Sequence, residues 1–503
     1  MIPESHPILS CEAAAALEQE LFAGDEEKEW VAMQRAGQAI GAAIMADALE
    51  IGGLAAESRL LVLVGKGHNG GDAMIAAQTI LRERPRACAE LMFVLGERSL
   101  RPLAMRARRE LTHAFGGRVR VVALRQLGEQ YDLCLDGVFG FKFRPPIQPA
   151  VQDVFDRVNR IPISLRAAVD LPSGGRFKAD FTYATGAVKA DALETALTGR
   201  LRYLDLGFFR GVVAGNRRGL TAGILAPLAA LRSPRSDKRD YGHLFVMGGS
   251  RSYPGAVLMS VMAALRSGVG LLTAFVPESL AAAYAARLPE AMWVGCPETP
   301  DGGLALEGLH LMRARMERAS AWVVGPGLGR EPETLALVST LGKISGAPVL
   351  LDADALQSVV IDASRAPLVL TPHAGEFERI SGTLSLNEFT AKTGAVVVKK
   401  GPVTEIAGGG SSISGEPSEC DVTYASFFGG PVLARGGSGD LLAGLIGGLL
   451  AQTPADRLLA AARGAVWHGL AADLLARSHG QVAVKTTQLV EFLPVVLRQL
   501  GRT

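Results

Sequence analysis

Cysteine is scarce and poorly spaced in this 503-residue chain: Cys11, Cys88, Cys134, Cys296 and Cys420 are all there is. No two stand as Cys-x-x-Cys or at a zinc spacing, which excludes the usual thiolate metal sites. An odd count spread this widely argues against a disulfide framework and fits a reducing, cytoplasmic setting. Charge of one sign is also missing, with 52 basic against 50 acidic residues and a net +2. That balance gives no reason to expect nucleic acid or a membrane as partner. The basic runs Arg98 to Arg109 and Arg232 to Arg239 read as solvated faces. The longest apolar run, Leu441 to Ala451, is too short to span a bilayer. Met1 to His6 has no basic segment leading into an apolar one, so no signal peptide is expected. There is no short-period repeat.

What is present fits folded α/β material. The chain is 48% hydrophobic and rich in glycine and alanine, and its length predicts two domains, or three. Residues 231–240 are charged, contain Pro234 and lack an apolar period, so they read as a linker between domains 1–230 and 241–503. Each half alternates short apolar runs with helical patterns, the mark of βα units on a mostly parallel sheet. In the first half, strands are predicted at Leu60–Val64, Leu91–Leu95, Asp132–Leu135 and Ala167–Val169, with a helix from about Ala73. Cys11–Leu21 and Trp30–Ile51 read as helices. In the second half, strands are predicted at Gly242–Met247, Trp322–Val324, Val349–Leu351, Leu368–Leu370 and Ala395–Val398.

Arg435-Gly436-Gly437-Ser438-Gly439-Asp440 opens an apolar, helix-like segment. Glycines let backbone N–H groups approach a ligand, and the helix start points its free donors and positive dipole end the same way. That suits a phosphate, with Asp440 placed as a base for an acceptor hydroxyl. No Lys-Ser/Thr pair follows, so this is not a Walker A loop. The plainer alternative is a glycine-rich helix cap with Asp440 as a favourable N-terminal charge.

In the first half, strand ends carry polar, glycine-flanked residues: Asn69-Gly70-Gly71-Asp72, Asp136-Gly137 and Asp170-Leu171-Pro172-Ser173. Ligands of an open parallel sheet bind at such ends. An Asx-capped turn and a simple strand exit are the alternatives for each one alone. Taken in order, Gly65-x-Gly67-x-Asn69-Gly70-Gly71-Asp72, Asp136-Gly137-x-Phe139-Gly140 and Val169-Asp170-Leu171-Pro172-Ser173-Gly174 resemble the NAD(P)H-hydrate epimerase family over residues 8 to 226. The resemblance implies a Rossmann-like three-layer αβα domain with a potassium ion at Asn69, Asp136 and Ser173. It implies substrate contacts from His68, Asn69, Gly70, Gly71 and Asp72 and from Gly140, Phe141, Lys142, Phe143, Arg144, Pro145 and Pro146. Asp170 would lie against the hydrated nicotinamide as the acid/base. His68, the Phe141–Pro146 loop and the Thr182–Lys189 stretch depart from the family pattern.

The second half resembles the NAD(P)H-hydrate dehydratase family, a branch of the ribokinase-like α/β fold, over residues 240 to 497. The matching segments are Gly248-Gly249-Ser250, Gly325-Pro326-Gly327-Leu328-Gly329, Leu351-Asp352-Ala353-Asp354, Thr371-Pro372-His373-Ala374-Gly375-Glu376, Lys400-Gly401-x-x-Thr404 and Gly437-Ser438-Gly439-Asp440. The resemblance assigns Ala256, Gly327, His373 and Asp440 to the hydrated nucleotide. Lys400, Gly401, Pro402, Val403 and Thr404, with Gly439, go to the adenine nucleotide. A helix-capping histidine and a solvated lysine are the alternatives for His373 and Lys400. Arg435 departs from the family pattern and reads as a phosphate contact or a surface ion pair.

Together the resemblances imply a bifunctional enzyme that epimerises hydrated NADH and NADPH and dehydrates the S form. ADP is the expected co-substrate, with magnesium in the second domain and a homo-oligomer as the assembly. The alternative is a ribokinase-like small-molecule kinase fused to a non-catalytic Rossmann-like binding module.

Overall fold

The computed structural model describes residues 1–209, 215–408 and 422–501. Cys420 lies outside them, and Cys11, Cys88, Cys134 and Cys296 are free thiols. The chain packs as two compact units. One comprises His6–Ala214 with Ala476–Gln481; the other comprises Met1–Ser5, Gly215–Leu475 and Val482–Thr503. Residues 231–240 hold no helix or strand, yet packing divides the chain earlier. The strand Arg217–Leu220 pairs in parallel with Thr423–Ser426, which draws it into the second unit. Arg218 is buried and donates to the Ser5 hydroxyl at 2.8 Å, and the Ile2 N–H donates to the Tyr424 hydroxyl at 3.0 Å.

The first unit is built on a seven-stranded parallel sheet. Its order is Val119–Val121, Cys88–Phe93, Arg59–Val64, Tyr131–Gly137, Ile163–Val169, Phe181–Thr185 and Arg200–Leu204. Alternate residues of Arg59–Val64 feed opposite cores. Leu60, Val62 and Val64 meet Ile40, Ile44 and Met74, while Leu61 and Leu63 meet Phe155 and Val158. A strand apolar on both faces needs helices on both faces, hence three layers. The helices are Glu26–Ala48, His68–Glu83 and Pro102–Phe115 on one side and Pro149–Val158 on the other. Arg59–Val64 is also where the sheet changes direction. Later strands add outward first on its Cys88–Phe93 side, then on its Tyr131–Gly137 side. Such a switch point opens a crevice at the carboxyl ends of the strands.

The second unit holds ten strands of an eleven-stranded sheet, in the order Arg217–Leu220, Thr423–Ser426, Thr404–Gly408, Val396–Lys399, Leu368–Leu370, Val349–Leu351, Ala321–Val324, His243–Met247, Leu271–Pro277 and Met292–Cys296, with the short strand Ser5–Pro7, which begins at the end of its amino-terminal segment, outside Arg217–Leu220. Pairing is parallel from Val396–Lys399 through to Met292–Cys296 and antiparallel on both sides of Thr404–Gly408. In its core Phe275 stacks on Trp322, and Phe245 meets Trp322 edge-on. The helix Ser438–Gln452 is buried on all sides from Leu441 to Ala451, which explains the absence of a polar face in that run. It lies so close to the helix Pro254–Arg266 that a Cβ on Gly444 would fall 1.9 Å from the Ser260 carbonyl. Among the described residues no helix is long and apolar enough to cross a membrane.

Candidate active sites

At the switch point of the first unit the crevice is a cavity of about 480 Å³. Its walls include His68, Asn69, Asp72, Gly140 to Arg144, Pro146 and Asp170. The helix begins at His68, not near Ala73, so Asn69, Gly70, Gly71 and Asp72 form its first turn. The early start is tolerated because Gly70 and Gly71 take up packing that larger residues would block. A Cβ on Gly70 would lie 2.3 Å from the Gly65 carbonyl, and one on Gly71 2.5 Å from the Met33 sulfur. These glycines and Pro145 are not part of the cavity wall.

Three ionisable side chains meet on its inner wall. Asp170 ends the strand Ile163–Val169 with φ at +68°, a left-handed conformation unusual for aspartate. Its N–H is tied to the Tyr183 carbonyl at 2.9 Å. The Lys189 ammonium donates to Asp170 Oδ1 at 2.5 Å and to the Thr185 carbonyl at 3.2 Å. Asp170 Oδ2 and Asp72 Oδ1 are buried without a partner. Burial raises the pKa of Asp170, with the Lys189 charge opposing. Burial and the neighbouring Asp170 and Glu18 push Asp72 well above the carboxylate range. One buried carboxylate held by a cation beside another whose pKa burial raises is an arrangement suited to passing a proton. The sequence reading missed Lys189. It stands just past the exit of the strand Phe181–Thr185, which has no glycine-flanked carboxylate to mark it.

Asn69, Asp136 and Ser173 are brought together below this wall. Asp136 is fully buried. Its Oδ2 accepts from the Ser173 N–H at 2.7 Å and its Oδ1 from the Val138 N–H at 3.2 Å. Burial pushes its pKa up to about 6. Ser173 Oγ accepts from the Phe139 N–H at 2.8 Å. The Asn69 amide reaches the carbonyls of Val169 at 2.9 Å and Phe139 at 3.2 Å. One carboxylate thus sits among neutral oxygens with no cationic side chain against it in the described residues.

The second constellation gathers on the other unit. Asp440 lies in the first turn of Ser438–Gln452, after Gly437 with φ at +90°. Lys400 donates to Asp352 Oδ1 at 3.1 Å, and the same oxygen accepts from the Thr371 hydroxyl at 2.7 Å. A Cβ on Gly439 would come within 3.3 Å of Lys400 Nζ, so the glycine loop passes directly over that ion pair. Burial, then the charge of Asp352, pushes Asp440 up to about 7, against the pull of Lys400. Gly327 has φ at +64°, and a Cβ there would lie 2.9 Å from that of Ala256. His373 caps the helix Ala374–Ser381, with Nδ1 accepting from the Glu376 N–H at 3.3 Å, while its ring stays exposed. It forms a backbone bridge with Lys400, beside which Gly401, Pro402 and Val403 turn into the strand starting at Thr404. Arg435 donates to the Val482 carbonyl.

Two residues here were given no role from sequence. Asp352 is the strand-end carboxylate that holds Lys400, and the logic that picked out Asp170 finds it too. His468 is buried, hydrogen-bonded to the backbone of Ser438, and its pKa is lowered by burial to about 4. No motif signals it, because it sits deep inside the long helix Arg457–His479.

Residues 244–495 match the family model described as NAD(P)H-hydrate dehydratase, and 30–198 match the YjeF-related protein N-terminus. The bifunctional NAD(P)H-hydrate repair enzyme of Gloeobacter violaceus is 36% identical over 94% of both chains. That of Moorella thermoacetica is 33% identical over 89% of both. The chain belongs to the bifunctional NAD(P)H-hydrate repair enzyme family. This repair-enzyme family pairs the two architectures described above, a Rossmann-like and a ribokinase-like α/β unit. Among solved structures, an ADP/ATP-dependent NAD(P)H-hydrate dehydratase from Bacillus subtilis, co-crystallised with ATP and Mg²⁺, is 28% identical. It covers 54% of this chain and 94% of its own, with a TM-score of 0.44.

Proposed function

We propose that the chain repairs hydrated nicotinamide nucleotides, interconverting the R and S epimers of NAD(P)H-hydrate in the first unit and dehydrating the S epimer in the second. The observation that carries this is Asp440, a carboxylate raised to about 7 at the start of a glycine-loop helix. A general base works best with a pKa near the ambient pH.

Hydration puts a hydroxyl on C6, next to the ring nitrogen, and hydroxide is a poor leaving group. Asp440 takes the hydroxyl proton as the terminal phosphoryl of ADP moves onto the oxygen. Gly437 to Gly439 and the helix start hold the transferred charge. The ring nitrogen then expels phosphate, and loss of a C5 proton restores the dihydropyridine, leaving AMP and phosphate. Ala256, Gly327 and His373 hold the hydrated nucleotide; Lys400 to Thr404 and Gly439 hold ADP. Asp352 and Asp354 would meet a nucleotide-bound magnesium ion, which offsets phosphate charge.

A chiral site presents one epimer's hydroxyl in line with the donor. The first unit supplies that epimer. Inverting C6 requires a bond at that carbon to break and re-form, with a proton shuttled as it does. Asp170, pinned by Lys189, is the acid/base, and His68 to Asp72 with the Gly140–Pro146 loop hold the substrate. The buried Asp136 with the oxygens of Asn69 and Ser173 fits an alkali cation, the charge that Asp136 otherwise lacks; potassium there would tie the strand ends together.

The test is chiral separation of hydrated NADH after incubation with and without ADP. The R epimer should disappear into NADH with ADP, and R and S should equilibrate faster than the uncatalysed background without it. A stable phosphorylated alcohol made from ATP and a candidate substrate would favour a small-molecule kinase instead.

A further inference from the structure

From the outer end of the first unit's cavity we infer that this chain selects the 2′-phosphorylated substrate, NADPH-hydrate, over NADH-hydrate, through Lys66 and Arg101. The inference rests on the reading of that cavity as the epimerase site.

One cavity is lined both by Asp170 and Lys189 and by Leu95, Lys66 and Arg101. In sheet terms it reaches from the exit of Ile163–Val169 to the exit of Cys88–Phe93, three strand spacings away. At about 4.8 Å each that is roughly 14 Å, room for a ribose–diphosphate–ribose chain to lie across the strand ends. With the hydrated ring at Asp170 and the diphosphate over Gly67 to Asn69, the adenosine ribose comes to Leu95 and Arg101.

On folds of this kind, a carboxylate at the end of the second strand accepts from the ribose 2′-hydroxyl, and its replacement by a basic residue admits a 2′-phosphate. Here the strand Cys88–Phe93 exits through Val94-Leu95-Gly96-Glu97. Leu95 lines the cavity and Glu97 does not; its carboxylate is taken by Arg108 at 2.9 Å. Arg101, from the segment after that strand, lines the cavity instead, with Lys66 beside it from the exit of Arg59–Val64. The Arg101 N–H donates to the Lys66 carbonyl at 2.8 Å, which fixes the two residues side by side. Both side chains are exposed, and neither is ion-paired among the described residues. The other two cations on this wall are engaged. Lys142 pairs with Glu18 at 3.0 Å, and Arg144 donates to the carbonyls of Phe141 and Phe143. A dianionic phosphate here meets two cations without an ion pair among the described residues, whereas a bare 2′-hydroxyl finds the Glu97 carboxylate already taken by Arg108.

The experiment uses the full-length protein, wild type and Lys66→Gln/Arg101→Gln. R-to-S interconversion is followed with NADPH-hydrate and NADH-hydrate, and NADP⁺ and NAD⁺ binding by calorimetry. The wild type should favour the phosphorylated form in both kcat/KM and affinity, by on the order of 10-fold for exposed charge-assisted contacts. The double variant should bring both ratios close to one. Equal handling of the two forms by the wild type overturns the inference while leaving the epimerase reading intact. An equal loss on both substrates in the variant also overturns it, because Lys66 and Arg101 would then hold the shared diphosphate. If neither epimer is interconverted the epimerase reading fails, and a binding ratio that the double variant leaves unchanged then overturns the inference as well.

Discussion

Replacing Asp440 with asparagine separates the chemical from the structural role of this carboxylate. Its rise from the usual 3.8 to about 7 means that the folded unit favours the neutral acid by roughly 4 kcal/mol, an upper bound because the site is only partly closed to water. The sign follows from linkage. A group whose pKa is raised on folding contributes stability at low pH and loses it as pH climbs through the folded value. The wild-type second unit should therefore lose stability between about pH 4 and pH 7, on this group's account, and stay low above it. Asparagine has the same shape and no charge to desolvate, so Asp440→Asn should melt no earlier than wild type at pH 8, and later by up to several degrees. Its amide cannot accept a proton. Dehydration of the S epimer should fall by a factor on the order of 10²–10⁴. In the wild type, the dehydration rate should rise with pH and level off above about 7. The assay is recovery of NADH absorbance from purified S epimer with ADP and magnesium, alongside calorimetric melting at pH 6 and pH 8. Near wild-type turnover in the variant would refute the general-base assignment. A variant that melts several degrees early at pH 8 would refute the account of a carboxylate buried at a cost.

Lys189→Met leaves Asp170 buried without its cation, so the first unit should lose about 3–5 kcal/mol in denaturant melts and epimerisation should collapse; Lys189→Arg should recover part of both. Replacing potassium with a bulky organic cation at constant ionic strength should slow R-to-S interconversion and leave dehydration unchanged, and Asp136→Ala should remove the potassium response. With ADP as sole donor, chromatography should show AMP and phosphate appearing in step with NADH; a strong preference for ATP would count against the ADP assignment.

The candidate site residues were legible because such strand ends leave local marks. Asn69, Asp136, Asp170 and Asp440 each follow an apolar run or open one beside glycines. The helices Cys11–Phe22 and Glu26–Ala48 fall close to the expected ones, since both segments are rich in alanine and free of proline. Short and peripheral elements left weaker marks. Arg200–Leu204 alternates arginine with apolar residues and Arg217–Leu220 opens on two arginines, so neither shows an unbroken apolar run; what buries their guanidinium groups lies far off in sequence. Arg202 finds its partner in Asp47 at 2.9 Å, and Arg218 finds Ser5. Strand Cys88–Phe93 begins earlier than the apolar run at Leu91, since Glu90 is buried by Tyr131 and two arginines. Lys189 was hidden for the same reason: its meaning comes only from Asp170, 19 residues away and one strand over.

The assignment of Met1–Ser5 and Arg217–Leu220 to the second unit bears on how this chain can be cut. A fragment beginning at residue 241 would keep every motif of the dehydratase half, yet lack the strand that covers Thr423–Ser426. That edge would face solvent with its backbone donors and acceptors open, a surface on which copies stack. The polypeptide visits the second body, leaves it for some two hundred residues, and returns. The first unit is in the main one insertion, His6–Ala214, completed by the later segment Ala476–Gln481. One scissor cut cannot yield both activities intact; a dehydratase fragment calls for joining the amino-terminal pentapeptide to Gly215, and the first unit taken alone would forgo Ala476–Gln481, whose Arg477 pairs with Asp47 and Gln481 with Glu50.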